Sequence, residues 1–371
     1  MKIKMLVIFL INLIILTGCF GYRDMDKALF CTAIIIDVDE NENVLLYTEL
    51  FHSYRSKKDN SETGIRIIFT SKGKNLFEAI RDQNKSTSYK INYEQNKIII
   101  FTTRAAQYGI DNFIDYLNRD QELLLRQYLL IFEGDPRSLI QLKVRQEEFV
   151  GLYIYDLVRN EITKNFADIY QIYEYLNDRY VGNSTSVIAM IKLKDETLQE
   201  DLVIEGSGII KDGKMIDKME AKDSATHSAL VGNESVKIIS VPHPYHKESR
   251  IILEILDSNL TTNLSYEDNE IILEKNFDLK VTLAETQEHL RFYDSNARGK
   301  IEKLASKEFE KMCMETFEKY KEKGIDLFRI EEMFSRKYPN IKIKNPIRIT
   351  NLKLNVNVHL EGSTDVLSYR E

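Results

Sequence analysis

Cys19 is the residue whose chemistry is most constrained by its setting. It follows Leu16-Thr17-Gly18. Small side chains at Thr17 and Gly18 let the backbone enter a peptidase site, and the thiol behind them is a nucleophile able to accept a diacylglyceryl group. Upstream, Lys2 and Lys4 form a short basic region, and Met5 to Leu16 is an apolar run broken only by Asn12. Together these features describe a secretory signal. The run is too short to cross a hydrocarbon core of about 30 Å as a helix, which takes about 20 residues. The expected products are a signal peptide over 1–18, cleaved between Gly18 and Cys19, and a tether over 19–29 that starts on lipidated Cys19, a pattern similar to the bacterial lipobox.

Other polar arrangements point to less chemistry. Gly206-Ser207-Gly208 lacks the G-x-S-x-G spacing that sets a serine on a strand-to-helix elbow, and a β-turn is expected there. His243-Pro244-Tyr245-His246 places two imidazoles close together, yet Pro244 breaks any regular helix and no third ligand follows. His359 falls on the polar face of a strand and is expected to be solvated. Glu331-Glu332 sits in a solvated helical context. Tyr153, Tyr155, Tyr170, Tyr173, Tyr175 and Tyr180 are read as core packing ahead of a ligand groove or an interface. The sequence carries no P-loop, no G-x-G-x-x-G and no H-E-x-x-H. No catalytic residue, metal ligand or cofactor site is assigned, and the chain is not expected to be an enzyme.

With 371 residues, 43% hydrophobic and 29% charged, the composition is globular and long enough for two or three domains. Scarce Gly (15) and Pro (5) exclude collagen-like and low-complexity architectures. Removing 1–18 takes away two lysines and no acid, leaving 49 basic against 58 acidic residues, a net charge of −9 instead of −7. Such a surface suits neither nucleic acid nor anionic headgroups. Attachment is therefore expected from the membrane through diacylglyceryl Cys19 and from protein partners, with nucleic acid excluded. Two acyl chains hold where one is marginal, each buried CH₂ contributing about 0.8 kcal/mol. Cys31 and Cys313 read as small buried hydrophobes without metal-type spacing.

The elements that would carry these residues follow from periodicity. Strands are expected at 31–38 and 44–54 around an Asp/Asn turn, with a mobile loop over 55–64. Helices are expected at 75–81 and 111–117, and a β-branched strand at 97–102. The stretch 123–132 reads as mostly strand, and 161–177 shows helical spacing. A second block opens near Leu202 with a strand, an Asp212-Gly213 turn and another strand. Phe277, Leu279, Val281 and Leu283 alternate with polar residues as in a half-buried strand. A long helix over 295–323 carries an apolar stripe of Ile301, Leu304, Ala305, Phe309, Met312, Phe317 and Tyr320 and closes at Gly324. Leu352 to Leu360 alternates most cleanly. The expected fold is α+β and multi-domain, with mixed or antiparallel sheets and packed helices, and with the long helix and the alternating edge strand in the C-terminal domain. The expected domains are 30–200 and 201–371.

In their order, several segments resemble one family. Phe20-Gly21-Tyr22-Arg23-Asp24-Met25 stands where that family starts Cys-Trp-Asp-x-x-Glu. Ala33-Ile34-Ile35-Ile36-Asp37 looks like its first strand ending in Asp. Arg104-Ala105-Ala106-Gln107-Tyr108-Gly109-Ile110-Asp111, running on to Asp120, is similar to its A-x-x-G-I…D-x-L-x-R-D segment. Gly208 to Met215 resembles the opening of its C-terminal domain. Gly324 to Phe328, Arg336 to Pro339 and the last strand resemble its close. The family is that of the Ger(x)C lipoproteins, C subunits of nutrient germinant receptors in endospore formers. Phe20 departs from its Trp, and Arg329 and Glu331 stand where glycines are common. The resemblance implies a non-enzymatic subunit, lipid-anchored to the outer face of the spore inner membrane, associated with two integral-membrane germinant receptor subunits and required for nutrient-triggered germination. Tethering would raise the effective concentration of such partners. The alternative is a tethered extracytoplasmic solute-binding lipoprotein of a transporter, which would show two lobes of parallel βαβ repeats.

Overall fold

Ile34-Ile35-Ile36 is a β-branched run with no polar face, the pattern of a strand covered on both sides. In the computed structural model it lies in β1 (Ala28–Val38) and is wholly buried. The structure describes residues 28–369 except 56–61, 121, 145, 165–168, 182, 195–200, 233–235, 247, 289, 292–294 and 362–367.

Ten strands form the first sheet. After β1 come β2 (Val44–Arg55) and β3 (Glu62–Gly73), helix α1 (Leu76–Lys85), β4 (Lys90–Asn92) and β5 (Ile98–Thr102). Helices α2 (Thr103–Gly109) and α3 (Asp111–Arg119) lead to β6 (Tyr128–Glu133). Then follow α4 (Pro136–Ile140), α5 (Val150–Lys164), β7 (Tyr170–Gln171), α6 (Ile172–Tyr180) and β8 (Thr185–Lys194). The hairpin of β9 (Asp201–Lys211) and β10 (Lys214–Met219) completes the sheet, in the order β10-β9-β8-β6-β5-β1-β2-β3. Strands β1, β5, β6 and β8 run parallel at its centre and the rest of this order is antiparallel, so the sheet is mixed, as expected.

Alternation along the central strands divides the interior in two. Ile34, Ile36, Ile99, Phe101, Leu129 and Ile131 pack with α1, α2, α3 and α6. Ile35, Ile98, Ile100, Leu130 and Phe132 pack with α4 and α5 on the opposite face. The chain thus leaves β5 toward one face and β6 toward the other.

One buried carboxylate organises the second face. Glu49 of β2 is fully buried, and it accepts hydrogen bonds from Thr32 Oγ1 (2.7 Å) and from the amides of Val150 (2.9 Å) and Gly151 (2.7 Å) at the start of α5. Arg66 of β3 supplies the countercharge and also donates to the carbonyls of Ile140 and Leu142. Gly151 allows the approach, since a Cβ there would lie 2.3 Å from the Thr32 carbonyl oxygen.

Helix α7 (Ala221–Val231) leads to a four-stranded sheet, β11 (Ile238–Pro242), β12 (Arg250–Glu267), β13 (Glu270–Thr286) and β15 (Thr350–Leu360). Asp268 and Asn269, both at positive φ, turn the long β12–β13 hairpin. Short β14 (Leu290–Arg291) pairs with β16 (Ser368–Tyr369). Helix α8 (Ser295–Lys323) lays Ile301, Ala305, Phe309, Phe317 and Tyr320 on the four-stranded sheet, and Gly324 ends it at φ +68°. Helix α9 (Ile330–Lys337) and a 3₁₀ turn (Pro346–Ile349) lead into β15, the alternating edge strand.

Several expectations are revised. Residues 62–64 belong to β3, not to a loop, because β2 and β3 pair from Val44–Gly73 out to Arg55–Glu62. In 123–132 only Tyr128 onward is strand; the preceding residues turn, and the Leu125 and Gln127 carbonyls accept amides from the start of α6. The helical spacing over 161–177 resolves into the end of α5 and a separate α6, whose N-terminus is closed by Glu174 accepting the Gln171 amide (2.8 Å). Strands β9 and β10, which follow residue 200, hydrogen-bond into the first sheet.

Lys275 breaks the inward apolar phase of β13 while remaining 3% exposed, with Nζ donating to Thr262 Oγ1 (3.1 Å). Burial lowers its pKa to about 8 from 10.5. Between those values the unfolded chain holds more protons than the folded one, so stability rises with pH across that window; below it both states are charged and the burial cost is constant. Lys275→Met is expected to stabilise the protein at neutral pH by about 1–3 kcal/mol. It should also flatten the alkaline rise in urea denaturation series; an unchanged rise would refute this account.

Candidate functional site

Strands β1, β5 and β6 end together at a crevice, because parallel strands bring their C-terminal ends to one side of the sheet. The cavity there is about 680 Å³ and is lined by Asp39, Tyr47, Thr103, Arg104, Asp135 and Arg137, among others. Beneath it lies Asp37, fully buried near the end of β1. It accepts from Thr102 Oγ1 (2.5 Å), from Arg104 Nε (3.2 Å) and from Arg104 Nη2. Thr102 also caps α2 by accepting the Ala105 amide, which fixes Arg104 in the first turn. The hydrogen bonds to Asp37 raise the Arg104 guanidinium above its usual pKa. Thr103 donates to the Phe132 carbonyl (3.3 Å). The crevice therefore presents the guanidinium groups of Arg104 and Arg137 beside the carboxylates of Asp39, Glu40 and Asp135. The strand end at Asp37 and the start of the Arg104–Asp111 segment, separate in the sequence, meet at this site.

The other end of the Arg104–Asp111 segment meets the second half of the chain. Gly109, at φ +137°, lets the backbone turn so that the Ile110 amide donates to the Gly213 carbonyl (2.7 Å). Gly213 must be glycine: its φ is +78°, and a Cβ would lie 2.3 Å from the Asp111 carboxylate. Asp111 accepts from Tyr175 Oη (2.7 Å) and pairs with Arg179 (3.1 Å). From the same helix α6, Asp178 (7% exposed) accepts from Arg329 Nη2 (3.2 Å), while Asn183 donates to the Asp326 carbonyl (2.7 Å). Asp326 in turn accepts the amides of Phe328, Ile330 and Glu331, setting the start of α9. A small cavity of about 70 Å³ lies in this seam, lined by Asp178, Ser186, His227, Asp326 and Arg329 among others. Arg329 adopts left-handed φ +58°, the conformation that glycine takes most cheaply. The ion pair to Asp178 accompanies that substitution.

The remaining candidates separate. Gly206-Ser207-Gly208 is not a turn but strand β9, with Gly206 (φ +70°) where the β8–β9 ladder slips register. Ser207 is buried, its Oγ 2.7 Å from Ser224 Oγ on α7. His243 is buried, and its Nδ1 accepts the amides of Tyr245 (3.3 Å) and His246 (3.2 Å). Among the described residues no group of three or more His, Cys, Asp or Glu could hold a metal ion. His359 is solvent-exposed on the polar face of β15, as expected, with Nε2 2.9 Å from the exposed Asp278 carboxylate on β13. Of the tyrosines, Tyr175 is core, whereas Tyr173 and Tyr180 are exposed. Cys31 and Cys313 are free, buried thiols with pKa values pushed up by burial. Gly18 and Cys19 lie outside the described residues. Sequence reasoning missed Glu49, Asp178 and Lys275; for Lys275 the signal was a lysine in the apolar phase of an alternating strand.

An α+β protein with a ten-stranded mixed sheet, a second sheet covered by one long helix, and a polar seam between them is the class these features define. The spore germination protein N-terminal domain matches residues 21–193, and the spore germination B3/GerAC-like C-terminal domain matches 205–363. The chain belongs to the GerC-type family of spore germination proteins. It is 20% identical over 323 residues to the spore germination protein GerQC of Bacillus cereus, covering 87% of this chain and 88% of that one. To the spore germination protein KC of Bacillus subtilis (strain 168) it is 18% identical over 372 residues, covering 91% and 88%. The crystal structure of the GerBC protein shares the fold at TM-score 0.54 and 15% identity, over 88% of this chain and 96% of that one.

Arg329→Ala is expected to cost about 1–3 kcal/mol at neutral pH, because it leaves a buried carboxylate without its cation. Burial already raises the Asp178 pKa. A carboxyl whose folded pKa is raised contributes stability below its unfolded pKa and loses it as pH rises through the folded value. The deficit of the variant should therefore shrink toward about pH 4. Urea denaturation at both pH values checks this, and a pH-independent deficit would contradict it.

Proposed function

We propose that this protein is a membrane-anchored lipoprotein subunit of a nutrient germinant receptor, held by diacylglyceryl Cys19 at the outer face of the spore inner membrane. It acts without catalysis, through contacts with two integral-membrane receptor subunits, and is required for nutrient-triggered germination. The observation that carries this reading is the match of both family domains over almost the whole chain, which begins just after the basic, apolar and small-residue run ending on Cys19. The net charge of −9 after signal removal supports attachment by lipid over attachment by a basic face. Among the described residues, no helix is long and apolar enough to cross a membrane. From Cys19 to the first described residue, Ala28, the chain reaches at most about 30 Å. The folded body would then stay within reach of membrane partners, where effective concentration lets modest interfaces suffice. The transporter-lipoprotein alternative finds no support in the family match.

Cys19→Ala is expected to abolish lipid labelling, release the protein from membranes, and impair germination on nutrients while a trigger that bypasses the receptor still works. Normal nutrient response in a deletion strain without paralogues would overturn the assignment.

A further inference from the structure

The crevice at the ends of β1, β5 and β6 holds polar groups that the fold does not consume. Tyr47 lines it and is 6% exposed, yet its hydroxyl has no hydrogen-bond partner among the described residues. The hydroxyl oxygen is not sealed from solvent and is open to pair with an occupant of the cavity. Arg137 lines the same cavity, and its guanidinium makes no hydrogen bond or ion pair among the described residues. Arg104 uses Nε and Nη2 on Asp37, which leaves Nη1 and its hydrogens uncommitted on a side chain that is 60% exposed.

The acids around the rim are occupied differently. Asp39 pairs with Lys72 (2.6 Å) and accepts the amides of Asn41 and Asn43 (both 2.9 Å). Asp135 caps α4 by accepting the Arg137 amide (2.9 Å). Glu40, on the exposed β1–β2 turn, also lines the cavity, and its carboxylate makes no hydrogen bond or ion pair among the described residues. The uncommitted donors facing the cavity are thus Arg104 Nη1, the Arg137 guanidinium and the Tyr47 hydroxyl, while Asp39 and Asp135 are engaged in local turns and Glu40 is the acceptor left at the rim. Asp37 cancels the charge of Arg104 but holds its plane fixed, so that a ligand meets an oriented fork without ordering it. Arg137 supplies a second guanidinium with no ion pair among the described residues, beside the Asp135 and Glu40 carboxylates of the same lining. The volume, about 680 Å³, exceeds what a bare ion fills and falls in the range of small-molecule sites.

We propose that this crevice binds a small organic oxyanion, with Arg104 Nη1 and the Arg137 guanidinium flanking the anionic group and Tyr47 donating its hydroxyl to it. Carboxylate and phosphate share that recognition chemistry. The site is independent of lipid attachment, so its failure would leave the anchoring proposal standing, and the reverse.

The test uses the full chain in detergent, titrated with citrate and separately with inorganic phosphate, against sodium chloride at matched ionic strength. Heat of binding and the shift in Tm are the readouts. A rise in Tm beyond the chloride control is expected for at least one probe; a stronger response to citrate assigns the carboxylate source, and a stronger response to phosphate the other. Arg137→Ala and Tyr47→Phe leave the Asp37–Arg104 pair intact. Each should keep the unliganded Tm and bind about tenfold more weakly, the effect of losing one good polar contact. No response beyond chloride with either probe, or undiminished binding in the Arg137→Ala, Tyr47→Phe double variant, would overturn the proposal.

Discussion

The ladder of backbone hydrogen bonds between β8 and β9 is the interaction on which the rest of the molecule depends. β8 closes the region matched by the N-terminal family domain, and β9 opens the region matched by the C-terminal one. The two strands are antiparallel neighbours from Thr185–Lys211 to Lys194–Asp201. Their side chains serve different interiors. Ile188 and Ile210 join the helix-covered core of the first sheet, whereas Val187 and Ile209 join the core beneath α8. Separating the halves would expose apolar surface on both and leave backbone groups unpaired, each a cost in its own right.

Around that ladder the buried charges act as connectors. Asp37 joins β1 to the first turn of α2, Glu49 joins β2 and β3 to the start of α5, and Asp178 joins α6 to the turn before α9. A charge inside a protein persists only where donors from several elements converge on it. Pairs of this kind contribute little net stability over an apolar replacement, but an element placed wrongly would strand the charge. Lys275 is the exception, buried with one hydroxyl as its partner in these bonds and correspondingly depressed in pKa. The polar seam and the crevice share the Arg104–Asp111 segment, with Arg104 at one end and Asp111 at the other, so one short helix and the turn at Gly109 lie between the two sites.

Elements with strong periodicity were legible in the amino-acid order. β1, β2, α3, α8 and β15 appear where alternation or a helical stripe marked them, and Asp212-Gly213 turns the β9–β10 hairpin. β3 and β12 were not legible. Through 256–263, β12 exposes most of its residues, including Asp257, Thr261 and Asn263, and its order comes from pairing with β13. Gly206-Ser207-Gly208 looked like a turn because two glycines punctuate it, yet close backbone approach at a strand irregularity demands glycine as well.

By itself the sequence determined the types of its strongly patterned elements, the acidic balance, and the basic-then-apolar run that ends on Cys19, because each is a matter of composition or of neighbours along the chain. The tertiary structure alone decided that Asp37 meets Arg104, that Asp111 needs Gly213 beside it, and that Arg329 takes a left-handed turn facing Asp178. Those meetings depend on strand order and crossing direction, which arise from packing whole faces together and leave no trace in local periodicity.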